Sequence, residues 1–108
     1  MGLLIAIARK VQLNSLRFEY EHKQIAISRV RSSLSNKISD YQMILADYDA
    51  NSPEYKKFNQ KIERLNQVEK RLNEQLTKIQ NDLQMVEAEY RLCDQMIQSN
   101  IQRLYSGH

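Results

Sequence analysis

Residues 48–57 read YDANSPEYKK, and this stretch decides the fold. Pro53 is the sole proline in 108 residues, and the two glycines are Gly2 and Gly107. Proline suits the first turn of a helix and breaks its interior. Asn51 or Ser52 can cap the helix that follows, and Glu54 lies beside the positive end of its dipole. Asn51 with Glu54 also has the spacing of a capping box. The stretch therefore predicts a turn at residues 50–52, with one helix over about 3–49 and a second over about 53–105.

Hydrophobic periodicity on either side supports the same division. From Leu72 the chain alternates steps of four and three through Leu76, Ile79, Leu83, Val86, Tyr90, Cys93 and Ile97, a heptad seam. Tyr55, Phe58, Ile62, Leu65 and Val68 extend it toward the turn. Ile97, Ile101 and Leu104 predict a looser supercoil at its end. The first helix carries Leu13, Leu16, Tyr20, Ile27, Val30, Leu34, Ile38, Tyr41, Leu45 and Tyr48 on one face.

Folding the chain about Asn51–Ser52 sets the two patterns against each other. Leu45 meets Phe58, Tyr41 meets Ile62, and Ile38 meets Leu65. Farther out, Val30 faces Leu72, Ile27 faces Leu76, Tyr20 faces Leu83, Leu16 faces Val86 and Leu13 faces Tyr90. Two independent periodicities that agree about one midpoint predict an all-α fold. It is two long helices in an antiparallel coiled-coil hairpin, with residues 1–108 as a single domain. Charge agrees with this register: residues 1–31 carry six Lys/Arg against two Glu, and they lie alongside the more acidic end of the second helix.

The composition points the same way. With 42% hydrophobic residues, no Trp and two Phe, the chain lacks material for a thick globular core, and helix-friendly polar residues suggest long helices. Helical recurrence of the apolar positions argues against disorder. The single cysteine, Cys93, excludes an internal disulfide and a Cys-based zinc site.

A second stripe lies off the seam. Leu4, Val11, Phe18 and Ile25 recur every seven residues and continue as Ser32 and Ser39, while the second helix answers with Met85, Leu92 and Met96. A two-helix coil buries one narrow stripe per helix, and a lone hairpin of this size is marginal in stability. Leu3, Leu4, Ile7, Val11, Phe18, Ile25, Met85, Leu92, Met96 and Ile101 are therefore the expected subunit contacts, giving a helical bundle or filament.

The opening MGLLIAIARK sharpens this. Its apolar run is shorter than the ~18–20 residues that span a bilayer, and its basic residues follow the run rather than precede it as in a signal peptide. Ala6 stands where a myristoylation pattern needs Ser or Thr. Without a cleavable signal peptide, the expectation is a cytoplasmic protein or one exported by a non-Sec route. Basic residues beside an apolar tip could also hold a peripheral contact with anionic lipid.

Chemistry is absent from the motifs. There is no HExxH, Gly-rich phosphate loop, nucleophile elbow or CxxC. His22 has Glu19 and Glu21 nearby but no second His or Cys at ligand spacing. No catalytic residue, metal or cofactor is expected. Nucleic acid is disfavoured as well: Arg9, Lys10, Arg17, Lys23, Arg29 and Arg31 line the first helix without a base-stacking aromatic cluster.

A helical hairpin of about this length with a short polar turn resembles two groups of small bacterial proteins. These are the WXG family exported by ESX-type systems and the needle-type subunits of type III secretion. YRLCD, Tyr90 to Asp94, matches the Tyr-x-x-x-Asp/Glu spacing of the WXG export signal, although it falls inside the second helix, and the turn reads ANSPEY where that family has Trp-x-Gly. Needle subunits pack apolar helix ends into a tube, which the N-terminal tip would suit. The resemblance implies self-assembly and secretion. The expected function is structural, a homo-oligomeric subunit of a filament or tube. The competing expectation is a coiled-coil adaptor or chaperone that holds another helical protein.

Overall fold

The computed structural model describes residues 2–106 and has two helices: α1, Leu3–Leu45, and α2, Pro53–Ser106. No strand occurs among the described residues, and the helices form a hairpin. Its contacts cluster into two compact units. One joins α1 up to Lys23 with α2 from Ile79 onward, and the other is Gln24–Lys78, which contains the turn.

α1 stops earlier than the sequence suggests, at Leu45 rather than near residue 49. The amide of Ala46 still donates to the Gln42 carbonyl at 3.2 Å, but Asp47 and Tyr48 donate only three residues back, to Ile44 and Leu45. Asp47 and Asp49 would place negative charge at the negative end of the helix dipole, and no basic residue lies in the last turn to offset it. Tyr48 leaves the helix and stacks on Phe58, with ring centroids 5.9 Å apart.

The cap of α2 is Ser52, and the Asn51–Glu54 capping box does not form. The Tyr55 amide donates to Ser52 Oγ at 3.1 Å, and that hydroxyl donates to the Asp49 carbonyl at 2.7 Å. Asn51 contributes its own amide to Asp49 Oδ1 at 3.4 Å. Ser52→Ala should therefore lower stability by about 1 kcal/mol, a few degrees in thermal melting followed by circular dichroism. Asn51→Ala, which keeps its amide, should change the melting temperature little.

The seam is a more regular heptad than the apolar residues alone suggest. On α2, Tyr55, Phe58, Ile62, Leu65, Glu69, Leu72, Leu76, Ile79, Leu83, Val86, Tyr90, Cys93, Ile97 and Asn100 are all buried or half-buried. Steps of three and four alternate without interruption. Glu69 takes the place expected of Val68, and Asn100 that of Ile101. The looser ending therefore does not occur, and Ile101 and Leu104 are exposed.

On α1 the same period runs through Leu3, Ala6, Lys10, Leu13, Arg17, Tyr20, Gln24, Ile27, Arg31, Leu34, Ile38, Tyr41 and Leu45. Val30 was expected on the seam and is instead 54% exposed. The heptad position falls on Arg31, which is itself exposed and whose Nη1 donates to Asn73 Oδ1 of α2 at 3.0 Å. Leu16 is half-buried at the seam's edge, Tyr48 is exposed beyond the helix end, and the other residues expected on the α1 seam are buried or half-buried. Lysine and arginine can occupy such sites because their methylene stems cover apolar surface while the charge reaches water.

In the turn unit, Tyr41 and Phe58 pack with ring centroids 5.7 Å apart, and Lys61 Nζ lies 5.4 Å from the Phe58 centroid. In the other unit, Leu13, Val86 and Cys93 form the core, with Leu16, Tyr20 and Tyr90 packed against it. Leu13 is fully buried, and no polar or charged residue is buried among those described.

Candidate assembly surface

The unit built from the first part of α1 and the last part of α2 presents two different sides. One side is marked by Arg9 and Glu89. The guanidinium donates from Nε to Oε1 at 3.0 Å and from Nη2 to Oε1 at 2.8 Å and to Oε2 at 3.0 Å. Beside this pair a shallow recess is lined by Leu13, Leu16, Tyr20, Asp82, Met85 and Val86.

On the other side Lys10 Nζ donates to Asp94 Oδ1 at 2.7 Å and lies 5.3 Å from the Tyr90 ring centroid. Arg17 sits 5.1 Å from the same ring. The bond to Asp94 holds the Lys10 ammonium above its ordinary value of 10.5, against the opposing effect of burial.

A group whose folded value is raised stabilises fully below its unfolded value and loses that contribution as pH rises through the folded one. Wild type should therefore melt above Lys10→Met at neutral pH, and the difference should close as pH climbs past the ordinary lysine range. Paired melting curves across that range check it. Both partners are partly solvated, with side-chain exposures of 32% and 42%, so the effect is modest.

Large apolar side chains remain exposed outside the seam. On α1 these are Leu4 at 81%, Val11 at 65%, Phe18 at 52% and Ile25 at 51%; on α2, Met85 at 70% and Leu92 at 57%. Ile7, Met96 and Ile101 are exposed as well. Of the ten expected contact residues, Leu3 differs: it is half-buried, because it occupies the seam position one heptad before Lys10. Ile5 and Tyr105 are exposed apolar residues that heptad reasoning passed over. Each lacks a partner seven residues away on the same helix that would have marked a stripe.

Apart from the Cys93 thiol no ionisable group is buried among the described residues, and no cluster of three or more His, Cys, Asp or Glu able to hold a metal occurs among them. None of the helices is long and apolar enough to cross a membrane. What the surface offers is apolar area in rows, suited to packing against other helices. No family model matches the chain, and no curated protein or solved structure matches it significantly.

Proposed function

We propose that this protein is a structural subunit that assembles with copies of itself through the exposed apolar rows of its two helices. The observation that carries the reading is the row Leu4, Val11, Phe18 and Ile25, each at least half exposed and seven residues apart. Each such side chain contributes about 1.5–3 kcal/mol when fully removed from water. A single hairpin has no surface left with which to cover them, because its seam already occupies the facing side of each helix. Supporting this, the outer face of α1 beside the first three members of that row carries Ala8 and Ser15, whereas Glu21, His22 and Arg29 flank Ile25.

The test is mass in solution. Light scattering on the purified chain at tens of micromolar should give a multiple of 12.8 kDa that grows with concentration, and electron microscopy should show discrete assemblies. A monomeric mass throughout, with a second protein recovered at one-to-one from its source, would replace this reading with the adaptor.

A further inference from the structure

Resting on the self-assembly reading, we infer that the contact between copies is head-to-tail: the apolar row of α1 in one copy packs on the apolar row of α2 in the next. The argument begins with the Arg9–Glu89 pair, which marks one side of the unit. A helix turns about 100° per residue, so Val11 and Phe18 lie about 160° around α1 from Arg9 and Leu16. On α2 the opposite holds: Met85, Leu92 and Met96 lie within about 60° of Glu89. Met85 indeed lines the recess beside Arg9 and Glu89. The two rows therefore face opposite sides of the same unit.

That placement decides the symmetry. A two-fold dimer joins a surface to itself, so it would cover one row and leave the other in water. A copy displaced sideways brings its α2 row onto the α1 row of its neighbour, and the displacement can be repeated.

The rows also match in register. With no shift along the helices, residues across the new contact pair as they would across the hairpin, which sets Val11 against Leu92 and Phe18 against Met85. Ala8 then falls within one residue of the level of Met96. The groups beside the rows are complementary as well: the His22 imidazole, able to donate a hydrogen bond, comes within one residue of the level of the Asp82 carboxylate, and neither belongs to an ion pair within its own chain among the described residues. Glu21, level with Asp82 in this register, lies about 100° from His22 around α1 and so on the other flank of the contact.

The experiment uses full-length protein carrying Cys93→Ala, with Val11→Cys in one preparation and Leu92→Cys in another. Mass is measured first; the two are then mixed and oxidised with copper phenanthroline. The mixed disulfide should form at least about tenfold faster than either protein links to itself, since a disulfide needs its β-carbons within about 4.5 Å. Phe18→Cys with Met85→Cys should behave alike.

An assembled mass with Val11→Cys linking chiefly to itself would overturn the head-to-tail contact and leave self-assembly standing. A monomeric mass would overturn both. If Cys93→Ala loses its helical signal, Cys93→Val serves as the background.

Discussion

Leu13→Ala should cost about 2–5 kcal/mol, the largest stability loss expected of any truncation in this chain. Leu13 is fully buried and sits in a cluster with Val86 and Cys93, closed by Leu16, Tyr20 and Tyr90. A helical pair is one side chain deep at its seam, so a vacated site cannot be filled from a second layer. At about 4–8 °C per kcal/mol for a small domain, the melting temperature should fall by ten degrees or more. Thermal unfolding by circular dichroism measures it.

Val30→Ala provides the contrast. Val30 is exposed and alanine is the better helix former, so this change should be neutral or slightly stabilising. Equal losses from the two variants would contradict the seam described above.

Replacing Phe18 and Ile25 together with glutamate should separate the copies while leaving the hairpin helical. Each side chain is about half exposed in the isolated chain, so little of the internal packing depends on either. Since only the exposed half of each side chain remains to be covered, the two together contribute about 1.5–3 kcal/mol, and losing both should weaken association roughly 10–10²-fold. The new carboxylates would add a desolvation cost at the same contact. Sedimentation at a concentration where wild type is assembled should show the variant as monomer, with its far-ultraviolet spectrum nearly unchanged. Unchanged sedimentation would mean that another face carries the assembly.

The hairpin was legible because two heptad patterns shared one midpoint. Where the sequence misleads, it does so in one consistent way. At Arg31, Glu69 and Asn100 the heptad position falls on a polar residue, half-buried at Glu69 and Asn100 and exposed at Arg31, and an apolar residue stands beside it at Val30, Val68 and Ile101. Ranking by hydrophobicity selects the neighbour and shifts the position by one residue, which on a helix is about 100°. Only the helix pairing shows that a long polar side chain can lie in the seam and still reach water or a partner such as Asn73.

Ala6 was missed for the converse reason. It is fully buried, but one methyl group adds little to any hydrophobic pattern. The second row on α1 was legible in full, because its spacing of seven is independent of what the seam does. That the rows of α1 and α2 point to opposite sides was not legible, since it needs a cross-helix marker such as Arg9 with Glu89.

The turn has one more consequence. None of its residues adopts a positive φ, so a straight helix could run through residues 46–52 without any of them surrendering a special geometry. In a straightened chain, α1 would meet the α2 of another copy with the seam contacts outside the turn preserved, an exchange of helices between molecules. Pro53 opposes this: inside an unbroken helix it lacks an amide donor and clashes with the carbonyl of Asp49, at a cost of about 3 kcal/mol. A residue that begins α2 thus also keeps each molecule's two helices together.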